Sequence, residues 1–227
     1  MQKIKAVIFD LDGTLLNSLE DLACAMNYAL RAYNYPEHTV EEIKAMVGSG
    51  LSFLVKSAAP GCTENDFIKM KSVFIEYYNK NSQKHTKPYG GIIPLLSELK
   101  SMGIKLGVVT NKPDVLLKNI LTPIFGDIFD AVTGQIDGLP TKPDPTLTLS
   151  LIKKMGIDPC ECAFVGDSDT DMQTAVNAGV LPIGAAWGYR SRDIISAAGA
   201  KYIADSPEDV LNILNLADNN ADHNGKD

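Results

Sequence analysis

Two aspartates stand at the end of an apolar run near the N-terminus. Residues 4–9 are rich in β-branched side chains and are interrupted only by Lys5, which is typical of a strand buried on both faces of a parallel sheet. Asp10 and Asp12 follow, and Gly13 opens a turn. In an extended chain the two carboxylates share a face, roughly 6.6 Å apart along the backbone. Because open α/β sheets hold ligands at the carboxyl ends of their strands, the pair predicts a nucleophile or a metal site.

Acids in this order also occur where no chemistry takes place. Asp-x-Asp-Gly is common in tight turns and in calcium-binding loops. An EF-hand loop that began at Asp10 would need a glutamate at its twelfth position, where this chain has Asp21, and it would follow a helix rather than a strand. The first strand end therefore favours a chemical site, and the other strand ends have to decide.

Polar side chains also follow two other predicted strands, and a lysine stands at the start of a predicted helix. In a parallel sheet the carboxyl ends of all strands meet at one edge, so segments that follow different strands can converge. The segments are Thr110-Asn111 after the strand at 105–109, Thr141-Lys142-Pro143 before the helix that runs to 155, and Gly166-Asp167-Ser168-Asp169-Thr170-Asp171 after the strand at 162–165.

Convergence would bring four carboxylates into one cleft, those of Asp10, Asp12, Asp167 and Asp171. Two like charges about 4 Å apart repel each other by about 4 kcal/mol at an effective dielectric constant of about 20. Either some of these acids are protonated or a divalent cation lies among them. Oxygen ligands without a nearby histidine or cysteine favour Mg²⁺ over zinc, and Mg²⁺ typically keeps positions for water and phosphate oxygens.

A fixed positive charge and a hydroxyl group complete the predicted site. Lys142 supplies the charge, and Thr110 supplies a hydroxyl with backbone N–H groups beside it. In an otherwise acidic chain these groups make a local phosphate site. Since no Ser–His pair accompanies it, the candidate nucleophile is the Asp10 carboxylate, acting through an aspartyl phosphate. Asp12 could then protonate the leaving alcohol and later activate water.

Composition excludes several classes of function. The chain has 227 residues, 45% of them hydrophobic, and a net charge of −7, which suits one large domain or a domain with an insertion. It has no basic block of the kind that binds nucleic acid, and no run approaches the ~18 apolar residues of a membrane span. The first strand pattern begins at Ile4, which leaves no room for a signal peptide and predicts a cytoplasmic protein.

The histidines and cysteines are predicted to take no part in the site. The histidines fit no core triad, and the cysteines lack the spacing of a zinc knuckle and are expected to be ordinary reduced thiols. These residues are His38, His85 and His223, and Cys24, Cys62, Cys160 and Cys162.

The hydrophobic period changes along the chain. Residues 16–85 repeat apolar side chains every three or four positions, which predicts helices only, with Thr39 and Thr63 at helix starts. From Pro88 onward, strand and helix patterns alternate, as in βαβ units of a parallel sheet. Further strands are predicted at 128–132, 180–185 and 202–203, further helices at 114–121, 172–178 and 191–198, and a last helix at 207–216.

These periods predict an α/β fold: a doubly wound, Rossmann-like parallel sheet with an inserted all-helical cap. The core would comprise residues 1–15 and 86–227, with 218–227 a polar, disordered tail, and the cap residues 16–85. A cap on two linkers suggests a lid that opens and closes. Its candidate specificity loop is Gly48-Ser49-Gly50, for which a plain turn between helices is the alternative.

Four motifs in order give the chain a likeness to a known family. They are Asp10-Leu11-Asp12-Gly13-Thr14, Thr110-Asn111, Lys142-Pro143 and Gly166-Asp167-Ser168-Asp169-Thr170-Asp171. Over nearly its whole length except the tail, the chain resembles the haloacid dehalogenase-like phosphohydrolases. Within them it is similar to the phosphoglycolate-phosphatase-like branch, although Asn17 stands where that branch more often has aspartate. The segments that carry this closer likeness are 15–22, 48–50, 110–113 and 187–189.

The resemblance implies roles for the residues of the core motifs. Asp10 would attack phosphorus, and Asp12 would be the general acid and base. Lys142 would neutralise charge on the nucleophile and the phosphoryl group. Mg²⁺ would be bound by Asp10, Asp167 and the backbone carbonyl of Asp12, and Asp171 would support the metal from behind or through water. Phosphate would be bound by Thr110, Asn111 and Gly13. Asp169 would be a solvated acid at a helix start.

The expected function is Mg²⁺-dependent hydrolysis of a small phosphate monoester through an aspartyl phosphate, with 2-phosphoglycolate the first candidate. The same scaffold serves pyrophosphatases and sugar-phosphate phosphatases, and a phosphomutase shares the aspartyl phosphate, so these alternatives stay open. A phosphonate-cleaving relative would need a lysine in the cap that forms a Schiff base, and Lys56 is the candidate. A third alternative is a protein of this fold without catalytic activity, and the complete set of acids together with Lys142 argues against it. The expected partner is a small phosphorylated metabolite, and the sequence is compatible with a monomer and with a dimer.

Overall fold

A parallel β-sheet of six strands forms the centre of the molecule. The computed structural model describes residues 3–223, with side chains through Ala217. Two further short strands pair with each other outside this sheet. The strands are β1 (Ala6–Phe9), β2 (Leu16–Asn17), β3 (Lys87–Pro88), β4 (Lys105–Pro113), β5 (Ala131–Gln135), β6 (Cys162–Gly166), β7 (Leu181–Ala185) and β8 (Tyr202–Ala204).

Helices fill the connections between the strands. Short 3₁₀ turns at Asp114–Leu116 and Pro159–Glu161 lead into α6 and β6. The α-helices are α1 (Leu19–Ala32), α2 (Val40–Met46), α3 (Leu51–Ala58), α4 (Glu64–Asn81), α5 (Ile92–Ser101), α6 (Leu117–Phe125), α7 (Thr146–Met155), α8 (Asp169–Ala178), α9 (Arg192–Ala197) and α10 (Pro207–His223). No helix in the described part of the chain is long and apolar enough to cross a membrane.

The first strand lies in the middle of the sheet. The strand order is β5-β4-β1-β6-β7-β8, and every neighbouring pair is parallel. All four residues of β1 are fully buried because helices cover both faces, α5 and α10 on one and α7 and α8 on the other. The doubly wound fold class is confirmed, and it brings the carboxyl ends of β1, β4 and β6 side by side.

Two short strands close the helical insertion at its base. β2 and β3 pair antiparallel, with Leu16 opposite Pro88, so the chain leaves and re-enters the sheet region at one place. Asp21 of α1 is buried and accepts hydrogen bonds from the Thr86 N–H at 2.9 Å and the Thr86 hydroxyl at 2.7 Å. The helical segment α1–α4 is thus tied to its returning linker, and the stretch predicted as helix only begins with the two extended residues of β2.

An arginine after β7 ties the helical segment to the sheet. Arg190 Nη1 donates to the Lys44 carbonyl at 2.8 Å, and Nη2 donates to the Val47 carbonyl at 2.7 Å. Lys44 lies in the last turn of α2 and Val47 directly follows that helix, where helix geometry supplies no internal partner for the carbonyls. The guanidinium therefore satisfies a helix end and fixes the chain that leads into residues 48–50.

Several strand boundaries differ from the predicted ones. β5 spans 131–135 rather than 128–132. The Asp130 N–H donates to the Leu106 carbonyl at 2.8 Å, but the Leu106 N–H donates at 2.7 Å to the Asp130 side chain instead of to a backbone carbonyl, so regular pairing starts at Ala131. β4 continues past Val109, since pairing with β5 resumes at Pro113 after a register shift.

Several helix boundaries also move. The helix predicted at 114–121 starts as a 3₁₀ turn, becomes α6 and ends at Gly126, which takes φ +63°. The helix predicted at 172–178 starts three residues earlier, since Ser168 caps α8.

The last helix is longer than predicted. α10 runs to His223 rather than Leu216, because Ala217 remains buried and no glycine or proline interrupts the segment before Gly225. Residues 218–223 of the predicted tail are assigned to α10, and residues 224–227 lie outside the described residues.

Candidate active site

Asp10 lies directly after β1 at the carboxyl edge of the sheet. Its N–H donates to the Val165 carbonyl at 2.9 Å, which extends the ladder with β6 by one residue. The Lys142 ammonium donates to Asp10 Oδ1 at 2.7 Å, to Asp171 Oδ1 at 2.6 Å and to the Val109 carbonyl at 3.1 Å. Burial disfavours the charged amine, but the two carboxylates outweigh it, and the pKa of Lys142 lies above its usual value. Lys142 is thus a fixed cation inside the site.

Asp167 lies just after β6, and the backbone passes close to its carboxylate. The Thr14 hydroxyl donates to Oδ1 at 2.9 Å, and the Tyr189 N–H donates to Oδ2 at 2.7 Å. A Cβ on Gly13 or on Gly188 would overlap the Asp167 side chain, and Gly13 takes φ +93°. The structure therefore places Gly13, a predicted phosphate-binding residue, against the candidate metal ligand.

Asp171 is held from two sides. Its Oδ1 accepts from Lys142, while Oδ2 accepts from the Ser168 N–H at 3.0 Å and the Ser168 hydroxyl at 2.6 Å. The Ser168 hydroxyl also accepts from the Asp171 N–H, which completes a capping box at the start of α8. Both carboxylate oxygens are thus engaged by the protein, which suits a support for the site better than a direct ligand.

Three buried carboxylates form a cluster at this edge. Asp10, Asp167 and Asp171 each offer an oxygen, and these oxygens lie within 4.8 Å of one another. Burial, followed by repulsion from Asp171, raises the pKa of both Asp10 and Asp167. The cluster holds three acids and a single ammonium, so ionisation of all three leaves an excess of negative charge. Its all-oxygen donor set fits a hard divalent cation such as Mg²⁺.

We expect Mg²⁺ to raise the melting temperature of the protein more at about pH 8 than at about pH 6. The pKa of Asp10 rises from 3.8 to about 7, and that of Asp167 rises to about 8. Carboxyls with raised pKa bind protons more tightly in the folded state, so they lower the free energy of unfolding as pH climbs from about 4 to about 8. A bound cation offsets this repulsion where both acids are ionised. Thermal scans at the two pH values measure the effect, and equal shifts would contradict it.

The matched control is Asp167→Asn. This change removes one candidate ligand and one repelling charge, so the metal-free melting temperature should hold or rise at about pH 8 while the Mg²⁺-dependent gain disappears. A gain that survived in this variant would place the cation elsewhere.

Thr110 and Asn111 continue β4 into the site. The Thr110 hydroxyl accepts from the Lys112 N–H at 3.2 Å. The Asn111 amide donates to the Gly48 carbonyl at 3.0 Å and to the Lys142 carbonyl at 3.1 Å, and it accepts from the Lys142 N–H at 2.8 Å. The Asn111 side chain therefore links Lys142 to the loop of the helical segment, a contact that sequence reasoning missed.

Asp12 lies apart from the cluster, among three side chains that sequence reasoning did not assign. Lys112 Nζ donates to Asp12 Oδ1 at 2.9 Å, to Oδ2 at 2.8 Å and to the Tyr78 hydroxyl at 2.9 Å. The Ser18 hydroxyl donates to Asp12 Oδ1 at 2.5 Å instead of capping α1. Burial disfavours the Lys112 ammonium, but Asp12 and Tyr78 outweigh it and keep its pKa above the usual value.

A signal for Lys112 was present in the sequence. It lies two residues past Thr110, and in a continued strand the two side chains share one face. The prediction ended the strand at Val109, so the alternation was not followed into the polar residues. No comparable signal marked Tyr78, which reaches the site from α4, 34 positions away along the chain.

A cavity of about 50 Å³ opens above these groups. Its floor is polar, and its walls, supplied by the helical segment and by Pro113 of β4, are mainly apolar. The floor is formed by Asp10, Asp12, Thr110, Asn111 and Lys112, and the walls by Leu22, Val47, Gly48, Gly50, Leu51, Leu54, Phe74 and Pro113. The site thus meets two residues of the predicted loop, while Ser49 borders a neighbouring groove beside Arg190.

The other candidate side chains stay outside the cavity lining. His38 and His85 do not border it, and the side chain of His223 lies outside the described residues. The Lys56 ammonium lies 5.1 Å from the centroid of the Phe67 ring, away from the floor. The described residues therefore give no support to a Schiff-base chemistry at Lys56.

Comparison with known proteins identifies the family to which the chain belongs. Residues 7–185 match the family described as haloacid dehalogenase-like hydrolase. The chain is 33% identical over 221 residues to the phosphoglycolate phosphatase of Vibrio vulnificus (strain CMCP6), covering 94% of this chain and 97% of that protein. It is also 33% identical over 212 residues to the phosphoglycolate phosphatase of Aquifex aeolicus (strain VF5), covering 93% and 97%.

Solved structures share the fold along the same length. A predicted phosphoglycolate phosphatase from Haemophilus somnus 129pt superimposes with a TM-score of 0.87 at 34% identity, covering 94% of this chain and 99% of that one. A predicted phosphatase from Clostridium acetobutylicum gives a TM-score of 0.83 at 27% identity, covering 92% and 97%. The chain therefore belongs to the haloacid dehalogenase-like hydrolase family, as a phosphoric monoester hydrolase of its phosphoglycolate-phosphatase-like branch.

Proposed function

We propose that this enzyme is a Mg²⁺-dependent phosphatase that hydrolyses a small phosphate monoester through an aspartyl phosphate on Asp10. The observation that carries the proposal is the position of Asp10 on the cavity floor, 2.7 Å from the Lys142 ammonium and clustered with Asp167 and Asp171. A carboxylate held by a fixed cation, beside a cluster suited to a second cation, can approach a phosphoryl group that would otherwise repel it.

In the first half of the reaction Asp10 acts as the nucleophile. Its carboxylate oxygen bonds to phosphorus, the ester P–O bond breaks, and the electron pair passes to the leaving oxygen. Asp12, on the same floor, gives that oxygen a proton. The Thr110 hydroxyl and the Lys142 ammonium hold the phosphoryl oxygens in place during the transfer.

In the second half a water molecule takes the place of the alcohol. Its oxygen bonds to phosphorus while the bond from phosphorus to the Asp10 oxygen breaks, and its proton passes to Asp12. Inorganic phosphate leaves, and both aspartates return to their starting states. The two aspartates thus have separate roles because Lys142 holds one and Lys112 holds the other.

The cation would be held by the carboxylates of Asp10 and Asp167 and by the backbone carbonyl of Asp12, with Asp171 supporting Lys142 behind them. When bound, Mg²⁺ supplies charge neutralisation and polarisation of the phosphoryl group. The three-carboxylate cluster fits it because the protein supplies one ammonium to three acids there.

The lining of the cavity favours a compact substrate, and 2-phosphoglycolate is our first candidate. The apolar walls offer no side-chain hydrogen-bond partner to the hydroxyl groups of a sugar phosphate. Lys112 is the only cation among the described residues of the lining, whereas a second phosphate in pyrophosphate or in a mutase intermediate would call for more positive charge. The two relatives named phosphoglycolate phosphatase support the same choice.

We further propose that residues 16–85 act as a cap domain on a core of residues 1–15 and 86–227, and that the protein works in the cytoplasm. The paired linkers β2 and β3 would be the hinge, and residues 48–50 would set substrate preference. The contact from Asn111 to the Gly48 carbonyl supports that role, since it joins this loop to the catalytic strand.

Gly50→Ala is expected to raise KM by about tenfold while changing kcat less. Gly50 has φ +88°, and an added Cβ would lie 2.9 Å from Gln135 Oε1 and 3.3 Å from the Asn111 carbonyl, so the loop would move away from β4. Gly61→Ala is the matched control. Its φ is +77° and its Cβ would meet nothing within 4 Å, so it should cost similar stability without a kinetic effect. Equal KM values in the two variants would remove the loop from substrate recognition.

A substrate panel tests the proposed function. The purified enzyme with Mg²⁺ is assayed for phosphate release from 2-phosphoglycolate, a sugar phosphate, a nucleoside monophosphate and pyrophosphate. We expect the highest kcat/KM with 2-phosphoglycolate and no activity after chelation of the metal. Absence of phosphate release from every compound would refute the proposal, and an isomerised sugar phosphate would identify a mutase instead.

A further inference from the structure

A buried lysine and tyrosine connect the helical segment to the acid/base carboxylate. Tyr78 comes from α4, Lys112 from β4 and Asp12 from the end of β1. Tyr78 is 1% exposed and Lys112 is 6% exposed, so the contact is closed to solvent. The proposed mechanism has so far given Tyr78 no role, and it has used Lys112 only as the ion-pair partner of Asp12 and as a cation of the cavity lining.

We propose that Lys112 and Tyr78 are positioning residues that hold the Asp12 carboxylate for the hydrolysis of the aspartyl phosphate. This inference rests on the proposed function, because it assumes that Asp12 is the general acid and base and adds the two residues that hold it in place. Neither residue touches the reacting atoms; both act through Asp12.

The hydrogen bonds determine where the carboxylate can lie. An ammonium has three donors, and those of Lys112 go to both oxygens of Asp12 and to the Tyr78 hydroxyl. Tyr78 is itself fixed, since its ring stacks on Phe74 with centroids 5.6 Å apart. Together with the bond from Ser18, these contacts leave Asp12 a single orientation.

The geometry of the hydrogen bonds selects the half of the reaction that is helped. An ammonium that donates to both oxygens fixes the direction in which the remaining lone pairs of the Asp12 carboxylate point. The carboxylate is the form that accepts a proton from the attacking water, as the bond from phosphorus to the Asp10 oxygen breaks and its electron pair returns to Asp10. Transfer of the phosphoryl group to Asp10 needs no proton from Asp12 when the leaving group is p-nitrophenolate, so the two halves can be measured separately.

The contact also makes this orientation depend on the helical segment. Tyr78 is the contribution of α4, and the neighbouring Phe74 lines the cavity itself. When the helices lie as they do in the structure, the hydroxyl of Tyr78 fixes the Lys112 nitrogen and, through it, the base. Displacement of α4 would break the hydrogen bond from Lys112 to the Tyr78 hydroxyl.

The test follows the phosphoenzyme formed from p-nitrophenyl phosphate with Mg²⁺ by rapid mixing and acid quench. We expect the decay rate of the phosphoenzyme to fall about tenfold in Tyr78→Phe and about a hundredfold in Lys112→Met. The burst of p-nitrophenolate, which reports its formation, should change less than about twofold. Tyr77→Phe is the matched control, since Tyr77 is the neighbouring tyrosine of α4, stacks on Tyr28 and does not border the cavity; it should alter neither rate.

Other outcomes overturn the inference. If formation and decay slow by the same factor, the two residues serve only folding; if decay in Tyr78→Phe equals that in Tyr77→Phe, the tyrosine does not position the base. Should Lys112→Met fail to fold, Tyr78→Phe alone decides, because it keeps the shape of the ring. Failure of the proposed function has a different signature, since the wild-type enzyme itself would then form no phosphoenzyme.

Discussion

Asp10→Asn should abolish phosphate release, lowering kcat by about four orders of magnitude or more. The amide keeps the size of the side chain but cannot supply the oxygen nucleophile that forms an acyl phosphate. The site should remain assembled, because Lys142 keeps its bonds to Asp171 at 2.6 Å and to the Val109 carbonyl at 3.1 Å. The measurement is kcat for phosphate release at saturating substrate and Mg²⁺.

Asp169→Asn provides the matched control for this loss. Asp169 lies in the first turn of α8, next to the cluster in sequence, and does not border the catalytic cavity. Its conversion should leave kcat within about twofold of the wild-type value, since a first-turn acid contributes mainly to helix stability. Retention of more than about 1% of activity in Asp10→Asn would show that another group attacks phosphorus.

Lys142→Met is expected to lower kcat by about 10²–10³-fold and to destabilise the protein by about 3–5 kcal/mol. The ammonium is 4% exposed and is bonded to two of the three clustered carboxylates. Its removal leaves three buried acids without their cation, whereas the thioether side chain preserves most of the volume. Urea unfolding measures the loss of stability. Because protonation of the acids removes their repulsion, the loss should be smaller at about pH 5 than at about pH 8.

Lys100→Met removes the same charge from an exposed pair. The Lys100 ammonium lies 2.9 Å from Asp130, with 38% of its side chain exposed. An ion pair of this kind is typically worth less than about 1 kcal/mol, and the site is not involved, so kcat should not change. If the two variants lost equal stability, Lys142 would not be the charge that balances the cluster.

The clustering of Asp10, Asp167 and Lys142 could be predicted from the sequence because the two aspartates stand at strand ends. Asp10 and Asp167 follow β1 and β6, which are neighbours in the sheet, so a parallel fold alone brings them together. Lys142 needed a further step, since it precedes α7 rather than following a strand. Its charge among several acids was the signal that assigned it to the same edge.

The support around this centre was hidden from sequence reasoning. Polar residues such as Asn111 and Lys112 look like a loop, yet both are buried because partners from distant segments satisfy them. Asp21 stands in the first turn of α1, where acids are usually exposed, and it is buried against the linker at Thr86. Contacts of this kind connect positions far apart in the chain and leave no local pattern.

Boundaries failed where side chains replaced the expected backbone pairing. The Leu106 N–H donates to the Asp130 side chain, whereas in a regular sheet it would donate to a backbone carbonyl of the neighbouring strand. β5 therefore starts later than its apolar pattern suggests. At the other end of the chain, the apolar pattern predicted a last helix that ends at Leu216, but Ala217 is also buried and α10 runs past it.

The central claim is that Asp10 carries the phosphoryl group during turnover. The most direct measurement is an acid quench of the enzyme during turnover of p-nitrophenyl phosphate with Mg²⁺, followed by peptide mapping in the mass spectrometer. We predict a phosphoryl group on the peptide that contains Asp10, attached to that side chain, and none in Asp10→Asn. A phosphoryl group on any other residue, or none in an enzyme that is turning over and whose phosphoenzyme would survive the quench, would contradict the account.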